Sequence, residues 1–208
     1  MQPPICTIAH NFLSGFSLTF YSRRYTIGDR LCLYIPKGED RPMTPEITCC
    51  FTGHRPQRLP WGENEADLRC LALKARLTRA VADAYDRGYR HFLCGMAQGA
   101  DLYFCQAVLD LKAEHPGVTL EAAIPYEGQA DRWPAADQAR RQRLLAQCDL
   151  ETVVQHHYTR GCMLRRNRYM VDRASLLLAV YDGIPKGGTM STLAYALRQG
   201  VETVILEV

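Results

Sequence analysis

The stretch FLCGMAQGAD, Phe92 to Asp101, decides the fold. An apolar run, Phe92-Leu93-Cys94, stops at Gly95; Gly99, Ala100 and Asp101 follow, and then Leu102, Cys105, Val108 and Leu109 recur on one helical stripe. Strand, small-residue turn and helix in that order make a βα unit. Glycine in the turn admits positive φ and the close approach of another backbone or a ligand. The helix after it points unpaired N–H groups and the positive end of its dipole at the turn, which suits an anion. Every βα unit needs a tight turn, so the stretch reads equally as plain punctuation. Similar turns elsewhere in the chain raise it to a candidate site.

Outward from this unit the same alternation repeats. Ile47 to Phe51 reads as an apolar strand ending in Thr52-Gly53-His54-Arg55-Pro56. A long helix is expected from about Asn64 to Arg87, with Gly88 as its C-cap, and Tyr89 to Cys94 is the next strand. The helix from Gly99 to about Glu114 is broken at His115-Pro116-Gly117; Thr119 to Ile124 is a strand, Pro134 to Cys148 a helix and Glu151 to Gln155 a short strand. Cys162 to Ala174 is a helix, Ser175 to Tyr181 the most apolar strand, Gly188 to Gln199 a helix closed by Gly200, and Thr203 to Leu206 the last strand. Strict alternation predicts an α/β fold: a mainly parallel sheet with helices on both faces.

Composition narrows the class. With 208 residues, 47% hydrophobic and 23% charged, the chain can bury one sizeable core. A net charge of +3 is too small to argue for nucleic acid. Nine cysteines with no CxxC pair read as buried reduced thiols, which suits the cytoplasm, and no Cys or His set has metal-ligand spacing. No apolar run approaches the length of a membrane helix. Residues 1–42 differ from the rest. They lack the layout of a signal peptide. They are expected to be peripheral, as a hairpin of Phe16–Tyr21 with Leu31–Ile35, as a loose segment, or as the product of a start-site choice upstream of Met43. The main domain is expected over 43–208.

In a parallel sheet, ligands bind beyond the carboxyl ends of the strands. Four such ends carry polar or glycine-rich residues: Thr52-Gly53-His54-Arg55; Gly95-Met96 with Gly99-Ala100-Asp101; Pro125-Tyr126-Glu127; and Asp182 with Gly187-Gly188-Thr189. Arg55 offers a planar fork for phosphate oxygens, or a surface ion pair; His54 is a phosphate partner or a satisfied loop histidine. Gly99 and Gly188, each opening a helix, are expected to face one shared anion, or else to serve their own turns. Asp101 and Asp182 could bond ribose hydroxyls or serve the fold. The basic run Arg165-Arg166-Asn167-Arg168 is a solvated face, or turns Arg166 and Asn167 inward. Neither GxGxxG nor the P-loop pattern is present.

The runs CCFTGHRP, CGMAQGADLY, RGCMLRRNRYMVDRASLLLAVYDG and KGGTMSTLAYA resemble the YpsA-like branch of the SLOG superfamily, which also holds the LOG phosphoribohydrolases and the Rossmann-like domain of DNA-processing protein A. The resemblance covers about Ile47 to the C-terminus. It implies a Rossmann-like fold and a pocket for a nucleotide or a nucleotide-derived, ADP-ribose-like ligand. In LOG enzymes a GGxGTxxE motif carries the glutamate that serves N-glycosidic cleavage. Here Met190 stands at the next motif glycine and Ala194 at the glutamate. Alanine can neither steady an oxocarbenium ion nor move a proton. A binding or sensing module is therefore expected first. A nucleotide N-glycosidase is second, with Asp101 or Glu127 substituting for the missing acid. Third is a single-stranded DNA binder, against which the small charge and the lack of an aromatic-basic stripe count. A homo-oligomer is compatible with all three.

Overall fold

The structure, a computed structural model, describes residues Arg24–Ile27, Arg30–Tyr34 and 47–208. Its elements run β1 (Arg24–Ile27), β2 (Arg30–Tyr34), β3 (Thr48–Thr52), α1 (Leu68–Asp86), β4 (His91–Cys94), α2 (Ala100–Glu114), β5 (Thr119–Ile124), α3 (Ala135–Leu145), β6 (Leu150–Val153), α4 (Cys162–Val171), β7 (Leu176–Tyr181), α5 (Gly188–Arg198) and β8 (Glu202–Glu207). The strands form one sheet in the order β1-β2-β6-β5-β4-β3-β7-β8. From β6 to β8 every neighbouring pair is parallel, the α/β Rossmann-like arrangement the alternation calls for.

Strand order dictates which face each helix covers. From β3 the chain steps outward through β4, β5 and β6, then returns to the other side of β3 for β7 and β8. Parallel crossovers are right-handed, so reversing the direction of travel moves the helices to the opposite face. Accordingly Leu73, Leu77 and Val81 of α1, Phe104 and Val108 of α2 and Leu144 of α3 pack with Phe51, Phe92 and Leu120 on one face. Met170 and Val171 of α4 and Leu193 and Ala196 of α5 pack with Cys50, Leu93 and Leu177 on the other. β3 and β7 are buried along their whole length, as suits strands paired on both sides and covered on both faces. The seven cysteines from Cys49 onward are free, and all but Cys148 are buried.

Some boundaries move for identifiable reasons. α1 starts at Leu68 rather than Asn64, because the Asn64 and Asp67 side chains accept the N–H groups of Ala66 and Arg69. Asp67 thereby becomes the N-cap. α3 ends at Leu145, three residues before Cys148, and α4 at Val171, three before Ala174. In the N-terminal segment β2 matches the second expected hairpin strand, but its antiparallel partner is Arg24–Ile27. Phe16–Tyr21 lies outside the described residues. β2 also joins β6 in parallel, pairing Cys32 with Glu151 and Tyr34 with Val153.

Deleting residues 1–42 is expected to leave a single cooperative unfolding transition, because residues from Cys49 onward supply two buried clusters, one on each face of a six-stranded parallel sheet. A truncated chain that melts without a transition in circular dichroism would show that the segment is part of the core.

Candidate functional site

The reversal in strand order falls between β3 and β7, and a crevice opens at such a point beyond the strand ends. A cleft of about 260 Å³ lies there. Its walls come from the end of β3 and the following loop, the loop before α2, α4, and the start of α5.

The β3 side begins at Thr52-Gly53-His54-Arg55 and runs into a single 3-10 turn, Pro56–Arg58. Residues three apart in such a turn share a side, so Arg55 and Arg58 both face the cleft. Arg58 is engaged: Nη1 donates to the Lys186 carbonyl at 2.7 Å and Nη2 to Asp182 Oδ2 at 2.5 Å. Arg55 is exposed and makes no ion pair among the described residues. His54 is buried and bridges to the other wall. Its Nε2 lies 3.0 Å from Asp182 Oδ1 and its Nδ1 3.2 Å from Thr189 Oγ1. Asp182 N also stands 3.1 Å from Nε2 and competes for it. The carboxylate decides, since a bare nitrogen lone pair would face an anion; Nε2 carries the proton and Nδ1 accepts from the Thr189 hydroxyl. Burial holds His54 below the ordinary histidine value despite the pull of Asp182, so the ring is neutral at neutral pH. Burial raises Asp182, but the Ile184 N–H, Arg58 and His54 together outweigh it and keep the carboxyl low.

The opposite wall is the start of α5. Gly187 is its N-cap at φ +93°, where a Cβ would come within 2.8 Å of Arg58 Nη1. Gly188 has open space where a side chain would stand. The first N–H groups of a helix have no intrahelical acceptor, and here they open onto the cleft opposite Arg55.

The floor is ionic. Asp101, in the first turn of α2, is 5% exposed and accepts from the Ala97 N–H at 3.2 Å. Burial lifts its carboxyl from 3.8 to about 6, against the pull of Arg166, the Ala97 N–H and Arg55. Arg166 is 4% exposed. Its Nη1 donates to the carbonyls of Gly95 and, at 3.1 Å, Ala123, and its Nε donates to Asn167 Oδ1 at 2.8 Å. Two β-strand ends are thus tied to α4 by one guanidinium. Gly95 is what lets it approach: a Cβ there would overlap Arg166 Nη1 and lie 2.7 Å from Asp101 Oδ2. The other buried carboxylate among the described residues, Glu121, is held by His91, Thr152 and Tyr169.

Of the residues singled out from sequence, Thr52, Gly53, His54, Arg55, Asp101, Arg166, Asn167, Gly187, Gly188 and Thr189 line the cleft. Asp182 stands behind it and orders its wall through His54 and Arg58. Gly95 and the buried Met96, at φ +52°, shape the loop under it. Pro125 and Tyr126 do not line it; Tyr126 packs edge-on against Tyr158, ring centroids 5.5 Å apart. Glu127 pairs with His156 at 2.7 Å on the exposed rim. Ala194 lines a neighbouring groove instead. Arg58 was missed, although the Arg55-Pro-Gln-Arg58 spacing is a sufficient signal for two guanidinium groups on one side of a turn.

Gly99 differs from Gly188. It sits at φ +83°, and a Cβ would lie 2.7 Å from the His54 carbonyl and 3.0 Å from Pro56. The first N–H of α2, from Ala100, donates to that same carbonyl at 3.1 Å. The first N–H of α2 is thus already taken by the β3 loop, whereas the start of α5 lines the cleft. Gly99→Ala is expected to destabilise the fold by roughly 1–3 kcal/mol, the cost of a strained backbone site. Gly188→Ala should leave the midpoint of denaturant unfolding unchanged. Equal midpoint losses for the two variants would contradict this difference.

Fold and cleft together define a doubly wound, parallel α/β protein whose polar crevice at the switch point is built around one open helix start and a loop of arginines. A family model, YpsA, described as the YspA SLOG family, matches residues 49–204, and the chain belongs to that family. It is 30% identical over 139 residues to the SPbeta prophage-derived protein YoqJ of Bacillus subtilis (strain 168), covering 61% of this chain and 81% of the relative. It is 28% identical over 142 residues to a UPF0398 protein of Bacillus pumilus (65% and 75%). It is 25% identical over 148 residues to the UPF0398 protein YpsA of Bacillus subtilis (70% and 82%).

Proposed function

We propose that the chain binds a nucleotide or nucleotide-derived, ADP-ribose-like ligand in the cytoplasm, with a phosphate seated between Arg55 and the start of α5. The observation behind this reading is the pairing of an exposed guanidinium with an open helix N-terminus across one cleft, while every other charged group there is already engaged or buried. A guanidinium and backbone N–H groups are complementary to a phosphate's several acceptor oxygens. Asp101, buried beside them, suits ribose hydroxyls. Among the described residues no helix is long and apolar enough to cross a membrane.

A thermal-shift screen of nucleotides tests the reading, because a ligand that binds the native state raises the apparent midpoint. No shift with any nucleotide would count against it. Arg55→Ala is expected to weaken a bound phosphate ligand about tenfold or more, since a charge-assisted hydrogen bond is worth roughly 1.5–3 kcal/mol. The unfolding midpoint should hardly move, because Arg55 is exposed.

A second reading, nucleotide N-glycosidase, is favoured by one feature: a carboxyl near pKa 6 in the same cleft can exchange a proton at neutral pH. Release of free base from a panel of nucleoside monophosphates, abolished by Asp101→Asn, would establish it. Binding without base release leaves the sensor or carrier reading in place.

A further inference from the structure

The first cleft, at about 260 Å³, is at the small end of ligand clefts, which span about 300–1,000 Å³. It has room for a phosphate and a ribose, but not for a base as well. A second depression of about 300 Å³ adjoins it, between α4 and α5, and Asn167 borders both. Asn167 Nδ2 donates to Thr192 Oγ1 at 2.7 Å, so the two helices are pinned together at the junction. Along α5 the open Gly188, then Ser191, Tyr195 and Arg198 recur at three- and four-residue spacing, and therefore lie on one stripe. Ser191 and Ala194 are small, and the groove has room because of them.

The far end of that stripe is a planar, cationic platform. The Tyr195 ring has the Arg168 guanidinium 5.3 Å and the Arg198 guanidinium 5.8 Å from its centroid, and its hydroxyl donates to Asp172 Oδ1 at 2.7 Å, which fixes the ring. Flat aromatic and guanidinium faces are what an unpaired nucleobase stacks on. From Gly188 to Tyr195 the helix rises roughly 10 Å at about 1.5 Å per residue. That separation fits a base and a terminal phosphate joined through a ribose and a second phosphate, and is long for a monophosphate.

We propose that the α4–α5 groove is the nucleobase subsite of this protein and that its ligand class is the nucleoside diphosphate, or a derivative with the same reach. The terminal phosphate sits at the start of α5 and the base lies against Tyr195, Arg168 and Arg198. This rests on the phosphate assignment above and adds the part of the ligand that the first cleft has no room for.

Calorimetric titration of the full chain with ADP, AMP and inorganic pyrophosphate tests it, in the wild type, in Tyr195→Ala and in Arg168→Ala/Arg198→Ala. The wild type should bind ADP more tightly than AMP. Both variants should lose tenfold or more in ADP affinity, the usual size of a lost base stack, while pyrophosphate affinity stays as in the wild type and shows the fold and phosphate seat intact. Unchanged ADP affinity in both variants overturns the subsite and leaves the phosphate seat standing. An equal loss for pyrophosphate and ADP also overturns it, since the groove would then act on phosphate rather than on the base. A wild type that binds neither ADP nor pyrophosphate overturns the phosphate seat as well.

Discussion

Gly95→Ala is expected to destabilise the protein by about 3 kcal/mol or more, although its backbone conformation is open to any residue. The reason is the neighbours. A Cβ would lie 2.5 Å from Arg166 Cζ and 2.7 Å from Asp101 Oδ2, with Arg166 Nη1 closer still. Arg166 is buried and cannot swing into solvent without leaving the carbonyls of Gly95 and Ala123. Overpacking alone costs about 1–3 kcal/mol. Stripping a buried charge of its partners adds about 3–5 kcal/mol where it occurs. Urea denaturation measures the loss. A Gly95→Ala protein with the wild-type midpoint would mean that Arg166 is not held where the strands end.

Asp101→Asn should change how stability depends on pH, by about 3 kcal/mol. The carboxyl rises from 3.8 in the unfolded chain to about 6 when folded, chiefly through burial. Between these values the native state binds more protons than the unfolded state, so wild-type stability falls as pH rises through this window and levels off above it. Roughly two units at about 1.4 kcal/mol each set the size. Asparagine can still accept from the Ala97 N–H and has no proton to lose, so its stability relative to the wild type should grow from pH 4 to pH 7. Parallel stability curves for the two proteins would show that Asp101 is not desolvated.

Much of the fold was legible because its signals are local. Leu176 to Tyr181 has no polar interruption and lies buried between β3 and β8. Gly88 and Gly200 adopt positive φ just past α1 and α5, where the periodicity stops. The order of strands was not legible. That β6 ends on one side of β3 and β7 begins on the other is decided by the packing of α4 across the sheet, and no short pattern records it. The first hairpin strand was assigned to the apolar Phe16–Tyr21, whereas Arg24–Ile27, next to Gly28-Asp29, is what pairs with β2. In the cleft, residues that follow strands could be gathered onto one rim from sequence alone. Their division of labour could not: Gly99 and Gly188 look alike in sequence, and only the His54 carbonyl behind the first separates them. Arg166 likewise reads as one of a basic run, yet it is buried while Arg165 and Arg168 stay exposed.

The most direct measurement is an amide NMR titration with ADP. If a phosphate sits at the start of α5, the Gly188 and Thr189 amide signals should move in a saturable, dose-dependent way, and the Ala100 amide, already donating to His54, should move less. Saturable shifts at Ala100 and its neighbours, with Gly188 and Thr189 unmoved, would contradict the placement of the phosphate at α5.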